Sequence, residues 1–181
     1  MNGQGDAGQL KARTGRLLKS AAVLGMVSLI APAAVAASER VTPSGMAVPR
    51  YVSTKFDKVN ARAGPGDDHR LLFVYKVRGL PLQVVAETSE WRRVCDPQGN
   101  LAWVHKRTTD GRRTAINTQS RVVAMLKKPK PGWKAAAYLN PRALATLDRC
   151  EKGWCRVKAD GVSGWTREGE LWGTREAQQC H

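Results

Sequence analysis

The chain has 181 residues, with 30 lysines and arginines against 15 aspartates and glutamates, a formal net charge of +15. Apolar residues make up 42% and charged residues 25%, a globular composition that excludes a fibre or a wholly disordered chain. The length admits one ordinary domain or two small ones, and the positive balance points to an anionic partner without naming it.

Residues 1–20 hold Lys11, Arg13, Arg16 and Lys19 against Asp6 alone, and the stretch from Ala21 to Val35 carries no charge. It closes on Ala34, Val35 and Ala36, which sets small residues at the −3 and −1 positions of a cleavage point. A basic start, a short apolar middle and a small-residue end are the layout of a secretory signal peptide. The apolar run is shorter than the roughly 20 residues that span a bilayer as a helix. Cleavage near Ala36 or Ala37 is therefore expected over retention as an anchor, and with it a periplasmic or secreted protein. Removing residues 1–37 leaves 26 basic and 14 acidic groups, a net +12. Export separates the chain from nucleic acid, and leaves anionic polymer, lipid headgroup or acidic protein as partner classes.

Residues 38–50, with Pro43, Gly45 and Pro49, read as a linker. From Tyr51 onward short β-rich runs alternate with turn chemistry. The runs are Val74 to Val77, Leu82 to Ala86, Trp91 to Cys95 and Leu101 to His105, with turns at 87–90 and 96–100. No later segment shows a long helical period, and Trp133 to Leu139 is ambiguous. Short strands at 8–12-residue spacing predict an all-β fold, either a small barrel or a sandwich.

The chain also repeats itself. Trp91-Arg92-Arg93-Val94 aligns with Trp154-Cys155-Arg156-Val157. Trp103 follows twelve residues after the first tryptophan and Trp165 eleven after the second, each trailed eight residues later by Gly111 or Gly173. Ala61-Arg62-Ala63-Gly64-Pro65 is echoed weakly by Leu126-Lys127-Lys128-Pro129-Lys130. The repeat divides the chain into a first unit at 51–117, a second at 118–175 and a tail at 176–181. Each unit is near the lower size for a core of its own, so the paired tryptophans and packing between the copies must supply burial.

VNARAGPG at Val59 to Gly66, followed by GLPLQVV, EWRRV and AWVHKRTTDGRR, resembles the bacterial SH3-like domain family. More narrowly it is similar to exported tandem SH3-like proteins of Gram-negative bacteria. RVVAMLKKP, LDRCEKGWCRV and GWTREGELWG resemble their second copy. The resemblance implies two open barrels of five or six strands and, from related domains, binding of peptidoglycan or its stem peptides. Two departures stand out. Ala102 occupies the place of the glycine usual before the second tryptophan, and the second copy lacks the Gly-Pro-Gly turn.

Gly64-Pro65-Gly66, with Asp67, Asp68 and His69 at its tip, reads as a turn whose glycines serve its backbone dihedrals. By resemblance to the variable loops of SH3-like barrels, it also forms one wall of a groove, whose mixed charge suits a zwitterionic peptide. Alternation along a strand places Trp91 and Arg93 on one face and Arg92 and Val94 on the other. A buried Val94 then leaves Trp91 partly exposed, the first choice for ligand contact. Arg62, Asp67, His69, Trp91, Arg92 and Trp103 form the candidate ligand-binding set. Lys106-Arg107, Arg112-Arg113 and Lys127-Lys128-Pro129-Lys130 read singly as solvated surface and together as a basic face.

Cys95, Cys150, Cys155 and Cys180 make an even count, which in an oxidising compartment predicts disulfides. Cys150 and Cys155 flank a hairpin tip, which favours a bridge across it. A Cys95–Cys180 bridge requires the tail to fold back onto the first copy and is the less favoured pairing. His69, His105 and His181 lie far in sequence from the close cysteine pair, so no metal site and no cofactor are expected. Cys95 and His105 lack an orienting third group, and no phosphate loop, serine elbow or metalloprotease helix occurs, so no enzyme is expected. The sequence thus predicts a monomeric, non-catalytic binding module of the cell envelope that recognises peptidoglycan through a groove in one barrel. The alternative is an adaptor that holds an acidic envelope protein by a basic face, and peripheral contact with an anionic lipid surface is a third reading.

Overall fold

The computed structural model describes residues 42–175 and 177–180, so the expected signal peptide lies outside the described residues. Among them, no helix is long and apolar enough to cross a membrane. The described residues are all-β apart from one 3-10 turn at Lys106–Thr108.

The first sheet contains β1 (Arg50–Thr54), β2 (Val59–Arg62), β3 (Leu71–Tyr75), β4 (Pro81–Glu87), β5 (Trp91–Cys95), β6 (Leu101–His105) and β7 (Thr109–Asp110). Its order is β3-β2-β6-β5-β4-β1-β7, with antiparallel neighbours. The second contains β8 (Thr114–Ile116), β9 (Val123–Leu126), β10 (Ala135–Leu139), β11 (Leu144–Glu151), β12 (Trp154–Ala159) and β13 (Val162–Arg167), in the order β10-β9-β13-β12-β11-β8. The ambiguous stretch after Trp133 becomes strand β10, paired with β9 along its length.

The register shows the repeat in three dimensions. Arg93 lies opposite Trp103, which lies opposite Arg62, while in the second sheet Arg156 lies opposite Trp165, which lies opposite Leu126. Leu126 therefore stands where Arg62 stands, one residue away from the alignment read in the sequence. The same register places the missing glycine of the first copy. A Cβ on Gly164 would sit 2.7 Å from the Cβ of Met125, a fully buried core residue. The equivalent positions in the first sheet are Ala102 and Ala61, both buried. One copy fills this space with a large and an absent side chain, the other with two small ones.

Strand β8 joins the two cores. It falls within the stretch the sequence assigns to the first unit, yet it pairs with β11 of the second sheet. Alternation sends Ala115 into the second core and Ile116 into the first. Ile116 also exchanges both backbone hydrogen bonds with Trp172, at 3.0 and 2.9 Å. Gly173 next to it is required by space, because a Cβ there would lie 2.6 Å from the Thr114 carbonyl oxygen.

The tail folds back, against the less favoured standing of the Cys95–Cys180 pairing in the sequence. The side chain of Gln83, fully buried, accepts from the backbone N–H of Gln179 (2.8 Å) and donates to the carbonyl of Ala177 (2.9 Å). A buried amide must have both its ends met, and the tail backbone meets them. This clamp brings Cys180 to Cys95, with a Cα separation of 5.8 Å, and the two form a disulfide. The expected Cys150–Cys155 bridge is also formed, between directly opposed residues beside a two-residue hairpin turn. Lys152 and Gly153 in that turn have φ of 50° and 75°, as a type I′ turn requires.

The end of the stretch read as a linker is docked. Glu87, on β4, accepts hydrogen bonds from the backbone and hydroxyl of Ser44 and from Arg50. Burial alone would push its carboxyl up. The hydrogen bonds from Ser44, Thr42 and Arg50 outweigh it and hold the pKa at about 2.

Candidate functional site

A cleft of about 310 Å³ opens on the outer face of the first sheet, over β2, β5 and the turn after β6. Alternation builds it. In β6, Ala102 and Val104 point into the core, which leaves Trp103 and His105 outward and half-buried. In β2, Val59 and Ala61 point inward, and Asn60 and Arg62 outward. Lys58, Asn60, Arg62, Asp67, Trp91, His105, Arg107 and Thr108 line the space.

Arg62 shapes one wall. Its guanidinium donates to the carbonyl of His69 (2.9 Å) and lies 3.2 Å from the Asp67 carboxylate, so one side chain holds the tip and the far end of the 64–69 loop. Gly64 is needed in that loop for space rather than for its dihedrals. A Cβ there would lie 2.6 Å from the His69 ring, and Gly64 and Gly66 have no positive φ.

Trp91 and His105 form the floor, directly opposite each other across β5 and β6 with ring centroids 5.2 Å apart. The His105 Nδ1 accepts the backbone N–H of Arg107 (3.3 Å), and Nε2 lies 3.8 Å from the Glu90 carboxylate. The Lys106 ammonium, 2.7 Å from Glu90, holds that carboxyl below the usual carboxylate range.

The cleft gathers three of the six candidate residues, Arg62, Asp67 and Trp91. Trp91 differs from its expectation: it is only 8% exposed although Val94 is also buried. The two do face opposite ways, but His105 covers the outer side of Trp91, a cross-strand contact that a single strand's alternation does not reveal. His69 packs on Gly64 and gives its carbonyl to Arg62, and its ring is not part of the lining. Arg92 faces away, where it donates to the Thr109 hydroxyl (2.6 Å) and lies 3.7 Å from Glu87. Trp103 stands beside the cleft, opposite Arg62 in the ladder, and does not line it. Asn60 and His105 were missed, although each lies two residues from a chosen one on the same strand face.

The basic stretches have separate local partners. Lys106 pairs with Glu90, Arg112 with Asp110, Arg113 stacks over Tyr51 at 5.3 Å, and Lys128 and Lys130 lie over Trp133. Cys95 is fully buried and disulfide-bonded, so no thiol is present there to pair with His105 as a nucleophile. No cluster of three or more histidine, cysteine or acidic side chains able to hold a metal ion occurs among the described residues.

The family model for the bacterial SH3 domain matches the chain twice, at residues 55–111 and 119–173. The chain belongs to the bacterial SH3 domain family. Bacterial SH3 domains are typically non-catalytic binding modules. No curated protein matches the chain. Among solved structures, NlpC2 from Trichomonas vaginalis is similar at 13% identity, over 70% of this chain and 48% of its own, with a TM-score of 0.32. NlpC1 from the same organism is similar at 13% identity, over 78% and 51%, with a TM-score of 0.31. The chain spans about half the length of each.

The second SH3 copy does not reproduce the cleft of the first. Its counterpart of His105 is Arg167, opposite Trp154, and the guanidinium lies 4.4 Å from the indole centroid. With Leu126 in place of Arg62, the second copy lacks the loop-holding arginine. A wider depression of about 770 Å³ beside the Cys150–Cys155 hairpin is open to solvent and has no aromatic lining.

Proposed function

We propose that this bacterial SH3 protein is exported and binds peptidoglycan through the first-copy cleft, with the stem peptide as the recognised part. The observation that carries the reading is the composition of the cleft: Lys58, Arg62 and Arg107 beside the Asp67 carboxylate, over a Trp91–His105 floor. A stem peptide carries carboxylates and an amine on a short, flexible backbone. The cations answer the carboxylates, Asp67 answers the amine, and Asn60 offers both a donor and an acceptor to the peptide backbone. The volume lies at the small end of the range for ligand clefts, which fits a few peptide residues better than a long glycan. The layout of residues 1–37 supports export. The adaptor alternative has less support, since the basic stretches are engaged at separate places.

Calorimetric titration with soluble muropeptides tests the reading. Binding of disaccharide-peptide, with loss of binding once an amidase has removed the peptide, is the expected result. Equal affinity for the peptide-free glycan would refute it.

A further inference from the structure

The hairpin of β9 and β10 points to a second binding surface, independent of the cleft. No aspartate or glutamate occurs from Gly111 to Leu147, a stretch that holds eight lysines and arginines. Four of these lysines, Lys127, Lys128, Lys130 and Lys134, fall in the eight-residue connection between the two strands. Pro129, Pro131 and Gly132, the last with φ of 70°, shape that connection, and the Trp133 backbone N–H closes it on the Lys130 carbonyl at 3.2 Å. Trp133 sits there 39% exposed, with the ammonium groups of Lys128 and Lys130 at 4.9 and 5.7 Å from its ring. Val122 and Tyr138 on the same hairpin are exposed as well, Tyr138 at 64%. Strand β10 is the edge of its sheet, so among the described residues no strand pairs with the hairpin on its outer side.

We infer that this hairpin is a docking surface for a bilayer rich in anionic phospholipid. Clustered lysines are drawn to such a surface, and an exposed indole beside them is suited to the headgroup boundary, where its ring is apolar and its N–H wet. The residues absent from the hairpin decide between a lipid surface and an anionic sugar chain. From Arg121 to Leu139 there is no serine, threonine, asparagine, glutamine, aspartate, glutamate or histidine. Sugar hydroxyls are read mainly by side-chain carboxylates and amides, of which this hairpin has none, and the Tyr138 hydroxyl is its one side-chain acceptor. Ammonium groups and aromatic rings suffice for a surface of phosphates over hydrocarbon.

Co-sedimentation of the full chain with vesicles tests this, using phosphatidylcholine alone and phosphatidylcholine with phosphatidylglycerol. Residues 1–20, with four basic groups against one acid, would themselves favour anionic vesicles, but that contribution is shared by every variant, so the comparison between variants isolates the hairpin. The wild type prefers anionic vesicles, and raising the salt from 0.1 to 0.5 M weakens that preference. Each lysine near an anionic surface contributes about a factor of five in partitioning, so Lys128→Gln with Lys130→Gln lowers it about 25-fold. Trp133→Ala lowers partitioning while retaining the anionic preference. All three side chains are exposed, and an unchanged circular dichroism melt confirms that the variants fold. Equal partitioning to both vesicle types, or an anionic preference unaffected by the lysine pair, overturns the inference. So does retention on heparin that depends on the two lysines with no partitioning to vesicles, which assigns the hairpin to a soluble polyanion.

Discussion

The Cys95–Cys180 bridge spans 85 residues and the Cys150–Cys155 bridge only 5, and this difference yields a quantitative test of the fold. A cross-link stabilises mainly by restricting the unfolded chain, and the effect grows with the logarithm of the loop it closes. The long bridge should contribute about 4.5 kcal/mol and the short one about 2 kcal/mol. Cys180→Ala removes the first at the chain's end and leaves Cys95 in place as a small buried apolar group. Cys150→Ala removes the second at an exposed position. Urea unfolding at 25 °C should then show Cys180→Ala less stable than Cys150→Ala by about 2.5 kcal/mol. At about 2–4 °C per kcal/mol, their melting temperatures should differ by roughly 5–10 °C. If Cys180→Ala costs no more than Cys150→Ala, the tail is not held against the first copy, and the roles given to Gln83 and Cys180 are wrong.

Three other outcomes follow from the packing and charges. Glu87 has a folded pKa of about 2, below the ordinary carboxylate value, so its contribution is present above about pH 4.3 and lost as pH falls towards 2. Wild type should therefore exceed Glu87→Gln in stability at pH 7, and the gap should close on acidification; a gap independent of pH would refute the pairing. Gly164→Ala should cost about 1–3 kcal/mol by overpacking, because a Cβ there meets the Cβ and the backbone of the fully buried Met125. An unchanged melt would show that the position has room for a side chain. Trp91→Ala should cost about 3–5 kcal/mol because the ring is buried, whereas Arg62→Ala on the cleft wall should leave the melt within about 1 kcal/mol of wild type.

The bounds of Trp91–Cys95 and Leu101–His105 were legible in the sequence, because turn residues mark both ends of each run and β-formers fill it. The duplication was legible because tryptophan spacing survives where other side chains have changed. Three features depend on contacts between distant segments. The tail's position depends on the buried amide of Gln83, which reads in sequence as one polar residue in an apolar strand. The burial of Trp91 depends on His105 across the ladder. The division of β8 between two cores is visible only once both cores exist. Half of the candidate site residues fell outside the cleft for a related reason. Position along a strand gives the face, but the neighbours on that face come from pairing.

Retention on purified peptidoglycan sacculi tests the central claim most directly, with Arg62→Ala as the probe because it alters the cleft wall and spares the core. Wild type should co-sediment with sacculi, and Arg62→Ala, folded by its melt, should bind at least tenfold more weakly, the scale of a lost hydrogen bond to a charged group. Equal retention of the two proteins, or no retention of wild type, would contradict the account.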